Sequence, residues 1–201
     1  GNLFVISGAS GVGKTSVLKL VLQQRSDLQF SVSATSRPPR PGEVDGVNYY
    51  FVSRENFQDM IDRDEFVEYD YHMENYYGTL KSEVLKKTEN GNMILDVEPN
   101  GALNIRKIYP QATLIFVAPP TLGTLEQRIR GRGDTGDDQI KVRLERAAWE
   151  LEQGEKYDYI VVNDTLDDCY LIFFSHSFSV KNLQNEIYLA KVKVLDLIFI
   201  H

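Results

Sequence analysis

The chain contains 201 residues, with 22 Lys+Arg against 29 Asp+Glu, one Cys and 42% apolar residues. A formal net charge of −7 argues against a broad basic surface that would bind nucleic acid or an anionic membrane. A single Cys cannot form an internal disulfide. No apolar run reaches the roughly 20 residues that are needed to cross a bilayer. The first residues lack the basic region of a signal peptide. These features predict a cytoplasmic globular protein.

Short apolar runs alternate with longer amphipathic runs, which is typical of an α/β protein with a largely parallel sheet. Buried strands are predicted at residues 3–7, 93–97, 114–118 and 159–162. A first helix follows residue 13, with one side formed by Val17, Leu18, Val21 and Leu22. A second helix is predicted over about 137–153. Acidic residues occupy its first turn, and apolar residues recur at helical spacing: Ile140, Leu144, Ala147, Ala148 and Leu151.

Two segments interrupt this alternation. Residues 31–78 are rich in Tyr, Arg and Gly, and they are interpreted as a small inserted substrate domain. Residues 123–136 are rich in Gly and Arg and are too polar for a core, so they are interpreted as a mobile loop.

A glycine-rich segment between the first strand and the first helix matches the pattern G-x-x-x-x-G-K-[ST] in full. It consists of Gly8, Ala9, Ser10, Gly11, Val12, Gly13, Lys14 and Thr15. Glycines let backbone N–H groups converge on phosphate oxygens, and the helix N-terminus adds positive potential. The motif therefore predicts a nucleoside triphosphate site, with Lys14 at the β- and γ-phosphates and the Thr15 hydroxyl on Mg²⁺.

A proline-rich turn carries two arginines, Arg37 and Arg40, three positions apart. This spacing suits an anion clamp, in which both guanidinium groups bind the same anion. Guanidinium groups pair with phosphate through two parallel hydrogen bonds. A solvated turn is the alternative interpretation, since charged proline-rich turns are common. Nearby aromatic hydroxyls and the carboxylate of Glu68 favour the clamp.

Over residues 3–165, the order and spacing of several motifs resemble those of guanylate kinases. The motifs are the glycine loop, Ser33…Arg37-Pro-x-Arg40-Pro-Gly-Glu43…Tyr49-x-Phe51, Glu65-Phe66-Val67-Glu68, Tyr76-Tyr77-Gly78, Leu95-Asp96-Val97, Arg128-Ile-x-x-Arg132-Gly133, Arg143-Leu144 and Tyr157…Asn163-Asp164. The resemblance implies Mg²⁺-dependent transfer of the ATP γ-phosphoryl group to GMP or dGMP, giving ADP and GDP, in purine nucleotide metabolism.

The resemblance also implies a P-loop NTPase three-layer α/β fold with a parallel core sheet. The expected core comprises residues 1–32, 80–122 and 151–165. A small α+β insertion at 33–79 would bind GMP, and residues 123–150 would form a mobile lid. Residues 166–201 form an atypical tail whose uncharged stretch 169–180 leaves three interpretations open: a packed helix pair, a subunit contact in a homo-oligomer, or a divergent or mistranslated end.

By resemblance, site residues are expected in three groups. The phosphate of GMP would be held by Arg37, Arg40, Tyr49 and Tyr77, and its guanine would be read by Ser33, Glu68 and Thr79. ATP would contact the glycine loop, Arg128, Arg132 and Asn163. Transfer itself would depend on Lys14, Arg37, Asp96, Arg132 and Arg143.

Asp96 ends an apolar run, where P-loop proteins place an acid near Mg²⁺ and the acceptor phosphate, and we also expect it at the GMP site. The chain departs from the common family pattern directly afterwards, at Glu98-Pro99-Asn100-Gly101, where many relatives carry Asp and then Gln.

Two other functions stay open from the sequence. One is a catalytically silent guanylate-kinase-like binding module, which is disfavoured because such modules typically lack an intact P-loop. The other is a P-loop kinase that acts on a different phosphorylated acceptor, such as a sugar phosphate. Glu68, Ser33 and Thr79 favour guanine over that alternative.

Overall fold

The structure is a computed structural model that describes residues 1–72, 74–131 and 137–164. Its strands are β1 (Leu3–Gly8), β2 (Leu28–Phe30), β3 (Ala34–Thr35), β4 (Tyr50–Phe51), β5 (Phe66–His72), β6 (Asn75–Leu80), β7 (Asn92–Asp96), β8 (Thr113–Ala118) and β9 (Tyr159–Val162). Its helices are α1 (Lys14–Gln24), α2 (Arg54–Asp62), α3 (Lys81–Asn90), α4 (Pro99–Ile108), α5 (Leu122–Arg130), α6 (Asp137–Gln153) and a 3₁₀ turn, Gly154–Lys156.

Five strands form a parallel sheet in the order β2-β7-β1-β8-β9. The register pairs Gln29 with Met93 at one edge and Phe116 with Ile160 at the other. Most apolar residues of β1, β7, β8 and β9 are buried, as in sheets covered by helices on both faces, whereas Phe30 at the end of β2 is exposed. The predicted α/β fold and all four predicted strands are therefore confirmed.

The chain divides into two units. The first unit contains Gly1–Val5 and Asp27–Ala112. It includes a second sheet with strand order β4-β3-β6-β5, in which β5 and β6 run antiparallel. Phe57 of α2 stacks on Phe66 of β5, with ring centroids 4.4 Å apart, and on Tyr76 of β6 at 5.1 Å. This aromatic core anchors the two longest strands of the second sheet.

The second unit contains Ile6–Ser26 and the described residues from Thr113 onward. Helix α1 buries Val17, Leu18 and Val21, as the helical spacing predicts, while Leu22 is half-buried. Helix α6 has the predicted bounds and buries Ile140, Ala147 and Leu151. Ala148 is exposed, however, and the polar residue Glu150 is fully buried.

The prediction of a mobile loop over residues 123–136 is wrong for its first part. Residues 122–130 form α5, in which the Thr121 hydroxyl accepts a hydrogen bond from the Thr124 N–H and caps the first turn. Leu125 and Ile129 are buried on one face, so two apolar residues at a spacing of four are enough to hold an otherwise polar helix. The helix ends at Arg130.

Two sequence predictions fall outside the described residues: the site role of Arg132 and the tail at 166–201. Within the described ranges, no helix combines the length and the apolar character needed to span a membrane.

Candidate active site

The glycine loop lies in the second unit, between the end of β1 and the start of α1. Gly13 caps the helix in a left-handed conformation, with φ 94°, and Gly11 has φ 89°. Side chains are also excluded sterically, because a Cβ on Gly11 would lie 2.8 Å from Cγ1 of Ile129, and one on Gly13 would lie 2.7 Å from Nδ2 of Asn163. Both the backbone conformation and the available space therefore require glycine.

Hydrogen bonds inside the loop fix its shape. The Val12 N–H donates to the Ala9 carbonyl at 3.1 Å, and Nζ of Lys14 donates to the Gly8 carbonyl at 3.1 Å, which draws the ammonium group back toward the loop. For the N–H groups of Gly11, Gly13 and Thr15, the described part of the chain provides no acceptor. Such a loop, with a lysine and a helix N-terminus, offers donors and positive charge that can bind phosphate oxygens.

A buried carboxylate supports the loop from α6. Glu150 is fully buried, and its Oε2 accepts a hydrogen bond from the Ser10 N–H at 3.0 Å. Its Oε1 accepts one from Nε of Arg146 at 2.9 Å, one helical turn earlier. A buried carboxylate needs such partners, so Glu150 ties the loop to α6. Glu150 was not predicted from the sequence; an acid three residues after Ala147, on an otherwise apolar face, is the signal that could have identified it.

Arg128 and Asn163 lie together beside the loop. Nδ2 of Asn163 donates to the Val12 carbonyl at 2.8 Å. Nη1 of Arg128 donates to the Asn163 carbonyl at 2.9 Å and, at 3.3 Å, to the Val12 carbonyl. These side chains line a pocket with Gly13, Ser16 and Asp164. The structure thus brings two of the predicted ATP residues to the loop.

Arg143, on α6, is half-buried and lies two turns before Glu150. It makes no hydrogen bond or ion pair with the residues that the structure describes. Within the same described ranges, no cluster of three or more His, Cys, Asp or Glu side chains could hold a metal ion.

The first unit contains the arginine turn. The Arg37 guanidinium pairs with the Glu43 carboxylate through two parallel hydrogen bonds, of 3.0 Å from Nη1 and 2.9 Å from Nη2. Glu43 also accepts from the Arg40 N–H at 2.7 Å. These contacts raise the pKa of Arg37 and lower the pKa of Glu43. Glu43, which was not among the predicted site residues, therefore shapes the turn together with the prolines.

Aromatic rings surround the Arg37 guanidinium. It lies 5.4 Å from the ring centroid of Tyr49 and 5.7 Å from that of Phe51. The Tyr77 ring meets Tyr49 edge-on, with centroids 6.1 Å apart. Burial raises the pKa of Tyr49; the Tyr77 phenol and the Asp96 carboxylate act in the same direction, and the Arg37 cation acts against them. The structure thus gathers Arg37, Tyr49, Tyr77 and Asp96, and it places Arg40 on the same turn.

Glu68 and Thr79 face each other across β5 and β6. The register pairs Phe66 with Leu80 and then Glu68 with Thr79, so a β-bulge at Val67 brings Glu68 opposite Thr79. The Thr79 hydroxyl donates to Oε1 of Glu68 at 2.7 Å. Burial raises the pKa of Glu68 to about 7 against the lowering effect of this hydrogen bond.

Two charges add to the effect of burial on Glu68. The carboxylates of Asp70 and Glu98 both raise its pKa. Ser33, the remaining predicted guanine contact, lies just before β3, where its carbonyl accepts from the Tyr50 N–H at 2.9 Å. Glu68 thus provides a buried carboxylate that can accept hydrogen bonds. It lies in the same unit as the turn that carries Arg37 and Arg40.

Comparison with known proteins agrees with this arrangement. The sequence profile described as "Guanylate kinase" matches residues 1–174. A guanylate kinase from Thermus thermophilus is 44% identical over 176 residues, which cover 87% of this chain and 80% of the relative. Another, from Desulfitobacterium hafniense, is 47% identical over 167 residues, or 83% of this chain and 84% of the relative.

A solved structure gives the same result at the level of the fold. The crystal structure of guanylate kinase from Anaplasma phagocytophilum is similar with a TM-score of 0.69 and 26% sequence identity. The similarity covers 89% of this chain and 87% of that one. From the profile, the relatives and this structure, we conclude that the chain belongs to the guanylate kinase family.

Proposed function

We propose that this chain transfers the γ-phosphoryl group of ATP to GMP, giving ADP and GDP, and that it also accepts dGMP. The observation that carries the proposal is the Glu68–Thr79 pair, with its 2.7 Å hydrogen bond, in the same unit as the aromatic-lined Arg37. Membership of the guanylate kinase family supports the same reaction.

Glu68 accounts for the choice of base. A carboxylate accepts hydrogen bonds from guanine N1–H and N2–H₂ together, whereas adenine presents neither donor on that edge. A buried polar group left without its partner is penalised, and such mismatches discriminate by about 10⁴–10⁵ in favourable cases. We assign Ser33 and Thr79 to the same base.

The acceptor phosphate is assigned to Arg37, Arg40, Tyr49 and Tyr77. Glu43 holds the Arg37 guanidinium from one side at 2.9 Å. Tyrosine hydroxyls supply neutral donors beside the two cations. A phosphate dianion would therefore meet charge and hydrogen-bond donors in a fixed geometry.

The donor nucleotide is assigned to the second unit. The loop from Gly8 to Thr15 would hold the phosphates of ATP, with Lys14 beside the transferred group. Asn163 would contact the adenine, and Arg128 would hold the edge of the pocket. No covalent intermediate is required, since in-line transfer needs only positioning and electrostatic stabilisation. We assign the stabilising cations to Lys14, Arg37, Arg132 and Arg143, and Asp96 to a position near Mg²⁺ and the acceptor phosphate.

Mg²⁺ fits this site chemically. The Thr15 side chain is an exposed hydroxyl at the first turn of α1, next to amides suited to phosphate, and Mg²⁺ prefers oxygen ligands supplied partly by substrate phosphates. When bound, the ion would neutralise charge on the β- and γ-phosphates. Lys14 and the loop amides would orient the same oxygens.

We also propose a cytoplasmic enzyme of purine nucleotide metabolism that recycles GMP and binds neither nucleic acid nor membrane. The acidic balance and single Cys support this location. The core, the insertion at 33–79 and the lid at 123–150 are part of the same proposal.

A coupled assay of ADP release with ATP and Mg²⁺ tests the function, with GMP, AMP, CMP and UMP offered separately. We expect strong turnover with GMP alone. Nucleotide binding without turnover on any acceptor would contradict the proposal and favour a silent binding module. Turnover on a phosphorylated sugar instead of GMP would favour the other kinase interpretation.

A further inference from the structure

A buried glycine in α4, Gly101, lies against the carboxylate of Glu68. A Cβ built on Gly101 would lie 2.6 Å from Oε2 and 3.1 Å from Cδ of Glu68. Atoms in protein interiors do not approach this closely, so any side chain at 101 would force the carboxylate to move. Because a carboxylate is the end of a flexible side chain, Glu68 can rotate away while the fold persists.

The backbone gives no other reason for glycine at this position. Gly101 lies in the first turn of α4, and it is not among the glycines with positive φ. Alanine forms helices better than glycine does, so the residue is locally unfavourable where it stands. Space for Glu68 is what glycine provides here.

Two contacts therefore define the carboxylate plane of Glu68. Oε1 accepts from the Thr79 hydroxyl at 2.7 Å, and Oε2 faces the backbone of Gly101. Two parallel donors, such as guanine N1–H and N2–H₂, engage a carboxylate well only when its plane has the correct orientation.

We propose that Gly101 is a positioning residue that determines base specificity by leaving the space in which the Glu68 carboxylate is held against Thr79. The proposal rests on the proposed function, in which Glu68 reads guanine. It also explains the close approach of α4 to β5 at this point.

Gly101→Ala tests the proposal, with Gly123→Ala as the matched control. Gly123 also lies in a helix, but a Cβ there would come no closer than 3.7 Å to Oγ1 of Thr121. Since displacement of a binding group by about 1 Å costs up to about a hundredfold, we expect Gly101→Ala to raise the KM for GMP by about tenfold or more. The KM for ATP should stay unchanged, and Gly123→Ala should match the parent chain.

A double-mutant cycle separates the role of Gly101 from a general effect on packing. In a Glu68→Ala background, Gly101→Ala should cause little further loss of GMP selectivity, because the displaced carboxylate is already absent. An equal loss in both backgrounds would overturn the proposal. If Gly101→Ala alone fails to fold, adding Glu68→Asp should restore folding by shortening the side chain, and failure to do so would also overturn it.

A nucleotide-free measurement distinguishes failure of this inference from failure of the proposed function. Carboxyl-carbon NMR of the Glu68 side chain should show a changed chemical shift and titration in Gly101→Ala, with no change in Gly123→Ala. An unchanged Glu68 signal would overturn the inference even if GMP is the substrate. A changed signal in a chain that does not phosphorylate GMP would retain the positioning of Glu68 by Gly101 and reject the assigned reaction.

Discussion

At the residue scale, Glu68 has the most informative environment in the first unit. Burial raises its pKa to about 7, while the Thr79 hydroxyl opposes that shift. Guanine would supply two donors in place of water, which favours the ionised form. We therefore expect GMP to bind the carboxylate and to lower the pKa of Glu68 on binding.

The first prediction concerns the pH dependence of GMP binding. Because the ionised fraction of a group with a pKa of about 7 rises about tenfold between pH 6 and pH 8, the Kd for GMP should fall by about tenfold over this range. Calorimetry in two buffers should also detect proton release near pH 7. Glu68→Gln serves as the control, since the dependence that remains in this variant belongs to the GMP phosphate. The same pH dependence in both proteins would contradict the assignment.

The second prediction concerns stability. The pKa of Glu68 is about 7 in the folded chain against an ordinary value of 4.5, so the folded state binds the proton more tightly. The stability that Glu68 contributes is present below pH 4.5 and is lost as the pH rises through 7. Glu68→Gln should therefore raise the free energy of unfolding at pH 8 by up to about 3 kcal/mol, with little gain at pH 4. Urea denaturation at both pH values measures this difference, and an equal change at each would contradict it.

The third prediction concerns Lys14, whose Nζ donates to the Gly8 carbonyl. Lys14→Ala should abolish turnover, because the proposed cation beside the transferred group is lost, while the GMP Kd stays unchanged. Steady-state kinetics and calorimetry with GMP separate the two effects. Unchanged turnover would remove the loop from the mechanism.

At the element scale, α6 holds the glycine loop through Glu150. Glu150→Gln replaces one acceptor with an NH₂ group, so either the Ser10 N–H or Nε of Arg146 would face a donor. A buried group left unsatisfied costs about 1–3 kcal/mol, and we expect a loss of stability of this size together with weaker ATP binding. The exposed Glu152, on the same helix, provides the control as Glu152→Gln. Equal ATP affinity in both variants, measured by fluorescence titration, would contradict a role in shaping the loop.

The elements also show what a sequence can and cannot predict. Apolar runs with no polar alternation identified four strands of the main sheet, and the acid-led pattern at 137–153 identified α6. Helix α5 was missed because the segment 123–136, which contains most of it, is rich in Gly and Arg, and in the helix only Leu125 and Ile129 are buried. The bulge at Val67 arises from the pairing of β5 with β6, and the paired residues on either side of it lie 11 or more positions apart in the chain. Patterns of neighbouring residues do not reveal such a pairing.

The residues of the candidate site likewise divide into those that the sequence predicts and those that only the folded structure reveals. The glycine loop was predictable because its chemistry is contiguous in sequence. Glu43 and Glu150 were not, since each acts through a contact that only the folded chain reveals: Glu43 with Arg37, and Glu150 with Ser10. Gly101 was noticed only as part of a departure from the family pattern, and its closeness to Glu68 required the packing of α4 on β5.

At the scale of the whole molecule, the two nucleotides are assigned to different units. The predicted GMP residues all lie in Asp27–Ala112, and the loop, Arg128 and Asn163 all lie in the second unit. Substitutions in one unit should therefore affect one substrate, so Glu68→Gln should raise the KM for GMP far more than the KM for ATP. Equal changes in both would indicate that Glu68 is structural.

The most direct test of the central claim is to follow the phosphoryl group itself. The full chain is incubated with γ-labelled ATP, Mg²⁺ and GMP, and the products are separated, with Lys14→Ala and Glu68→Gln in parallel. We expect label in the β-phosphate of GDP for the parent chain, and little or none for either variant. Label found only in inorganic phosphate, or label in GDP that is unaffected by both substitutions, would contradict phosphoryl transfer to GMP at this site.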